Sequence, residues 1–339
     1  MNHPKCHELD YINFLIAAQR IFTCTEAARC YPTTSDYGLS SLSSPSHDAF
    51  TRLLRRNPPD PEALWRESGR LVEKKGGLLI LDDTTLDKPY AEKMDLVTYH
   101  WSGKHHDVVR GINLITLLWS DDGKMLVPTD FRLYDKQVNL TKNDHFRNML
   151  GKAHERGLEP DYVIFDSWYS SLDNLKAVRG YGWHFFTRLK ENRLVNPDRR
   201  ENVPISQIEI PVTGRIVHLK AFGMVKVFRT VSRDGDDVKY WATDHLDMSE
   251  EKAEALTNAG WGIEVYHRGI KQCCGVERAQ VRKADSIINH IQMSLRAFLR
   301  LELYRLVTGI SWYEAKARII RDAIRTYISR PVYSLVPTA

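Results

Sequence analysis

The sequence predicts a mixed α/β protein, in which a sheet with helices packed on its faces is interrupted by a β-rich stretch and flanked by helical ends. Three observations carry this. Apolar runs of strand length, such as "LLILD" and "YVIFD", alternate with amphipathic helical stretches between residues 78 and 190. Residues 191–247 replace that alternation with strand and turn signals alone. The first 77 and the last 92 residues read as helix.

In order, "YINFLIAAQRIF" and "HDAFTRLLRR" are short amphipathic pieces separated by the Ser/Pro-rich "GLSSLSSPS". Asp60-Pro61 then marks a helix start. The segment after it repeats apolar residues seven apart, Leu64 with Leu71 and Trp65 with Val72, and stops at Gly76-Gly77. Residues 1–77 thus form a helical N-terminal module, a candidate for DNA contact or for packing alone. From Leu78 the period changes. "LLILD", "VVRGINLITLLW" and "MLVPTDFRLYD" read as three antiparallel strands, the last two joined at the Asp122-Gly123 turn. A helix from near Thr141, with Phe146, Leu150 and Ala153 on one face, is followed by "YVIFD", the helix "SLDNLKAVRGYG" and the strand "WHFFTRLK". Residues 78–190 are therefore the first part of a core. The insertion, residues 191–247, holds a hairpin around "SRDGDDV". Residues 248–339 return to helix: first around "GWGIEVYHRGIKQ", then from Ser286 to Val307, then from a capping-box pair, Ser311 and Glu314, to Arg330.

Composition narrows the function. With 339 residues, 42% hydrophobic and 27% charged, the chain can bury a full core. No apolar run approaches the roughly 18 residues of a membrane span, and "MNHPKCHELD" lacks a signal-peptide pattern, so a cytoplasmic protein without a membrane partner is expected. Five cysteines without a CxxC pair are read as reduced thiols. Net charge is +1 over residues 1–75, −3 over 76–255 and +7 over 256–339, which suits metal ions held centrally and a polyanion gripped by the last third, or equally a set of solvated faces.

The acids fall into a pattern. Asp82 and Asp83 end one apolar strand and Asp166 ends another; if those strands are neighbours, their carboxylates converge. Glu264 is the third candidate, on a helix that carries Arg268 and Lys271 at i+4 and i+7. Three carboxylates can hold two Mg²⁺ ions, with Mn²⁺ as a substitute, across a phosphodiester. Each acid has a plainer reading as a helix cap or an i, i+4 ion pair. Their order, two acids after strands and one on a helix after the sheet, is that of a ribonuclease H-like core.

Four stretches, "LILDDTTLDKP", "HWSGKHHDVVRGINLITLLW", "VIFDSWYSSLDNL" and "WGIEVYHRGIKQ", resemble the DDE transposases of bacterial insertion sequences, in particular the group with a β-rich insertion and a "YREK" signature. The resemblance implies an enzyme that binds the terminal inverted repeats of its element as double-stranded DNA, cleaves there and joins the 3′ ends to target DNA. It also implies a homodimer on DNA, associated with the nucleoid when bound. Asp82 or Asp83, Asp166 and Glu264 take the metal-binding and catalytic roles. Both Asp82 and Asp83 satisfy the Asp-x-Thr/Ser pattern. Asp82 directly follows the apolar run, and alternation lets only one of the two face the site. Lys271 matches the signature, whereas Thr257 and Gly260 stand where it has tyrosine and arginine.

DNA contacts are expected from Lys104, Arg110, Arg268 and Lys271, and from the stripe Arg318, Arg321 and Arg325; Trp241 is a candidate for base stacking, with core packing as its plainer role. The histidines of "YHWSGKHH" lack acid or cysteine partners at zinc-ligand spacing. The rival functions are another ribonuclease H-like nuclease and a non-catalytic DNA-binding protein derived from a transposase.

Overall fold

A computed structural model describes residues 5–32, 45–103, 105–231 and 237–331. The chain opens on α1 (Glu8–Ala17), α2 (Cys24–Arg29), α3 (Ala49–Arg56) and α4 (Ala63–Ser68). Next come β1 (Leu78–Asp87), β2 (Thr98–Ser102), β3 (Asp107–Ser120) and β4 (Val127–Tyr134), then α5 (Lys142–Glu155), β5 (Tyr162–Phe165), α6 (Leu172–Gly180) and β6 (His184–Leu189). β7 (Leu194–Val195), β8 (Val203–Pro204), β9 (Arg215–Leu219), β10 (Gly223–Val231) and β11 (Val238–Thr243) precede α7 (Glu250–Gly260), α8 (Gly262–Cys273), α9 (Ala284–Thr308) and α10 (Trp312–Ser329).

These elements form two compact units, Pro61–His267 and a second one built from Met1–Asp60 together with Arg268–Ala339. The division cuts across the four segments expected from the sequence, because the two helical ends of the chain pack together. In the first unit β3 pairs antiparallel with β1 along one edge and with β2 and then β4 along the other. β1, β5 and β6 run parallel, in the order β4–β3–β1–β5–β6. This is a ribonuclease H-like mixed sheet. The inserted strands do not form a sheet of their own, since β11, β10 and β9 continue it antiparallel beyond β6, and only β7 and β8 pair separately. The insertion's turn at residues 232–236 lies outside the described residues.

Two local readings are corrected. The helix expected from Pro61 to Gly76 is only α4, with Glu62 rather than Asp60 at its N-cap. Its second half is extended instead, because Glu159 N–H donates to Lys74 O, Gly76 N–H to Glu159 O and Asp161 N–H to Gly77 O, prolonging the β1–β5 pairing upstream. Gly77 makes this possible: its φ is 75°, and a Cβ there would lie 2.8 Å from Ser120 O. β1, expected to stop at Asp82, runs on to Asp87 because β3 pairs with all ten of its residues.

α5 shows why the helices stay on the sheet. Thr141 caps it and Asp144 completes a capping box, while Phe146, Met149, Leu150 and Ala153 form the buried face. Phe146 meets Phe165 edge-on at 4.9 Å and stacks on Tyr169 at 5.6 Å. In the second unit α9 is the central helix. Several of its buried polar groups are matched across the unit: His290 meets Tyr11 Oη at 2.9 Å, and Asn289 donates to Leu54 O and Asn57 O. Lys316 of α10 donates to Ile16 O and Cys273 O. Such bonds tie the first 60 residues to the last 72. Among the described residues no helix is long and apolar enough to cross a membrane.

Phe146→Ala removes the largest side chain beneath Tyr169 and is expected to destabilise the sheet unit by about 3–5 kcal/mol in denaturant unfolding. A loss of less than about 1 kcal/mol would contradict this packing.

Candidate active site

The site starts from alternation along β1. Neighbouring strand residues point to opposite faces, so Asp82 and Asp83 are sent apart. Across the antiparallel pair with β3, Asp82 stands opposite Thr116 and shares its face, whereas Asp83 shares the face of Ile115 and Asn113. On the other edge β5 runs parallel and in register, with Leu81 beside Phe165. One step further on, Asp82 comes beside Asp166, just where β5 ends.

The two aspartates therefore meet different chemistry. Asp83 is held on both oxygens: Oδ2 accepts from Asn113 Nδ2 at 2.6 Å and from Lys142 Nζ at 2.7 Å, and Oδ1 accepts from Tyr169 Oη at 2.7 Å. Burial alone would push its pKa up, but the Lys142 ammonium and these three donors hold it below the usual carboxylate range. Asp82 is pushed well above that range, first by burial and then by repulsion from Asp166, Asp83 and Glu264. Asp166 is raised too, by burial and by Asp83, although Trp168 N–H donates to its Oδ1 at 2.9 Å.

Glu264 sits in the first turn of α8, and its charge reaches Asp82. The helix is held against this face of the sheet by two devices. His267 Nε2 lies 2.9 Å from Thr116 Oγ1, a bond between two buried groups on the strand residue opposite Asp82. Glycines provide close approach: a Cβ at Gly262 would meet Leu126 Cδ2 at 2.8 Å, and one at Gly260 would meet Ile164 Cγ2 at 3.1 Å. Gly260 stands where the signature has arginine, and here that position serves packing on β5. Thr257, in the tyrosine position, turns its hydroxyl back to Ala253 O.

Asp82, Asp166 and Glu264 offer hard oxygen donors without thiol or imidazole, and divalent cations would relieve the repulsion that raises Asp82 and Asp166. The donor set fits Mg²⁺-type ions. Among the described residues no three such side chains converge closely enough to close around one ion.

The remaining predicted residues are dispersed. Lys104 lies outside the described residues. Arg110 is half-buried on β3, paired with Tyr99 of β2. Arg268 is exposed on α8, one turn after Glu264, and Lys271 is paired with Glu277 at 3.0 Å. Arg318 and Arg321 both bind Glu314, and Arg325 binds Asp322. Trp241 is a core residue, 7% exposed and stacked on Phe186 at 4.9 Å. A ring that is available to solvent, two residues after Asp166, is Trp168, 57% exposed, with Lys142 and Lys190 each 5.6 Å from its centre. His100 is buried and pushed down to about 4 by burial and by Lys136 and Lys142, and His105 binds Asp87, so these histidines do not make a metal site.

The family model of the transposase DDE domain matches residues 73–300, from just before β1 into α9. The chain belongs to the DDE transposase family. Members of this family work with divalent metal ions. No curated protein compared with the transposase matches it. Among solved structures it is similar to the piggyBac transposase synaptic complex with hairpin DNA, at 12% identity and a TM-score of 0.49, over 100% of this chain and 80% of that one. It is also similar to the Drosophila P element transposase strand transfer complex, at 9% identity and 0.29, over 98% of this chain and 88% of that one.

The two adjacent aspartates of the transposase should shift stability in opposite directions when neutralised without metal. Asp83 has a lowered folded pKa, so its contribution is present above the unfolded value of about 3.9 and is lost as pH falls through the folded value. Asp83→Asn strands Lys142 and should cost about 3–5 kcal/mol at neutral pH. Asp82 has a raised folded pKa, so its ionisation penalises the fold increasingly as pH rises above about 3.9. Asp82→Asn should therefore raise the melting temperature in EDTA at neutral pH, with the gain vanishing in acid. Shifts of the same sign for both variants would refute the division.

Proposed function

We propose that this transposase binds the terminal inverted repeats of its element, cleaves phosphodiester bonds there and transfers the 3′ ends to target DNA. The observation that carries the reading is the β1–β5 register, which brings Asp82 beside Asp166 with the Glu264 charge on the same face. Asp82, Asp166 and Glu264 are the proposed holders of two Mg²⁺ ions, for which Mn²⁺ can substitute. When bound, such ions activate the attacking water or 3′-hydroxyl and neutralise the departing oxygen.

The chain's own residues have separable tasks. Asp83 is a structural anion rather than a ligand, because Lys142, Asn113 and Tyr169 already take both of its oxygens. His267, through Thr116, holds the helix that carries Glu264, so it is a positioning residue. Arg268, one turn along α8, supplies positive charge for the DNA backbone. Two element ends have to be joined in one reaction, so the working form is at least a homodimer on DNA.

With Mg²⁺ and a duplex ending in the element's terminal repeat, cleavage should stop at the repeat end. Glu264→Gln should lower cleavage roughly a hundredfold or more while duplex binding survives. Cleavage indifferent to that change would remove Glu264 from the site and with it the proposed mechanism.

A further inference from the structure

The unit built from both chain ends contains an open cleft of about 410 Å³ where α2 begins, α3 ends and the segment leading into α9 passes. Its walls include Arg55, Arg282 and Lys283 with the hydroxyls of Thr23, Thr25 and Ser286, and among the described residues no carboxylate lines it. None of the three cations is held in an ion pair among the described residues. This sets them apart from Arg318, Arg321 and Arg325, each matched by an acid on α10.

Two further features point to an anion. Lys283 is the N-cap of α9, a helix of 25 residues, and gives its N-terminus no side-chain cap. The partial positive charge there therefore adds to that of the side chains. One turn in, Ser286 is 1% exposed, and its Oγ has no hydrogen-bond partner among the described residues. A buried hydroxyl left without a partner is costly in water-excluded surroundings, so an acceptor reaching into the cleft would satisfy it. Thr23 keeps its own hydroxyl proton to donate, because its oxygen accepts from Glu26 N–H. Cys24, also in the wall, is pushed up by burial and stays a neutral thiol that does not repel an anion. The first-turn acid Asp285 does not line the cleft.

We infer that this cleft binds a backbone phosphate of duplex DNA, with Arg55, Arg282 and Lys283 supplying charge and Ser286 donating its hydroxyl. The inference rests on the proposed DNA-transposing function and adds a grip formed jointly by the two ends of the chain.

The test uses the full chain and a short duplex cut from the element's end, with affinity followed through a salt titration. Arg55→Gln with Arg282→Gln should weaken binding and make the slope of log K against log salt shallower by roughly 2, about 1 for each cation removed. Ser286→Ala should weaken binding roughly tenfold with an unchanged melting temperature, because that hydroxyl has no partner to lose within the protein. Wild-type affinity and slope in both variants would overturn the site while leaving the transposase reading standing. Failure of the wild-type chain to bind the duplex would overturn both. If inorganic phosphate raises the melting temperature of the wild type but not of the double variant, while duplex affinity is equal in the two, the cleft takes a free anion and the DNA assignment falls.

Discussion

Two adjacent carboxylates on one buried strand cannot share a fate, and the architecture of the sheet unit follows from keeping them apart. β1 is paired along both edges, so Asp82 and Asp83 have no freedom to turn to the same side. Each must find its compensation on its own face, and each face is covered by a helix that brings different partners. On one side α5 opens with Lys142, which neutralises Asp83. On the other, α8 brings an acid, Glu264, and a neutral anchor, His267 on Thr116. One carboxylate is thereby completed by side-chain donors and a cation, and its neighbour, beyond a backbone hydrogen bond from Asp83, faces like charges.

That asymmetry depends on where β5 stops. The parallel register continues to Phe165, and the chain then turns, with Asp166 accepting from Trp168 N–H. Had β5 continued, Asp166 would be one more alternating strand residue covered by α5 or α8. Ending there opens the sheet at the acids, and the exposed Trp168 ring stands at that opening between two lysines. Repulsion on Asp82 from Asp166, Asp83 and Glu264, and on Asp166 from Asp83, costs stability, which the long apolar runs buried in the surrounding strands offset.

The strands and major helices were legible because their signals are local: apolar runs of strand length, Ser and Thr caps, and an Asp-Gly turn. What was not legible depends on partners distant in sequence. β1 seemed to end at Asp82 because two acids and two threonines look like a strand exit, whereas Lys142, Asn113 and Tyr169, distant from one another in sequence, make the burial of Asp83 possible. The Leu64/Leu71 and Trp65/Val72 spacing read as one helix, yet residues 74–77 gain more by pairing with 159–161. Trp241 and Trp168 could not be ranked by type, since the burial of the former comes from tertiary packing that includes its stack on Phe186. The short β2, "TYHWS", was missed because its partner strand supplies its definition.

Charge separates the two units as sharply as topology does. The sheet unit holds 29 Lys and Arg against 32 Asp and Glu, a net of −3, whereas the unit made from the chain's two ends holds 19 against 11, a net of +8. A cluster of carboxylates repels the phosphates on which the proposed reaction acts, so the sheet unit cannot gather DNA by its own field. For the proposed reaction, the net positive charge of the helical unit is the candidate source of attraction, through counterion release by Lys and Arg. Many of that unit's cations are spent on internal partners, as at Glu314, Asp322 and Glu277. Arg55, Arg282 and Lys283, around the N-terminus of α9, have no such partner among the described residues, which leaves their charge available to a polyanion.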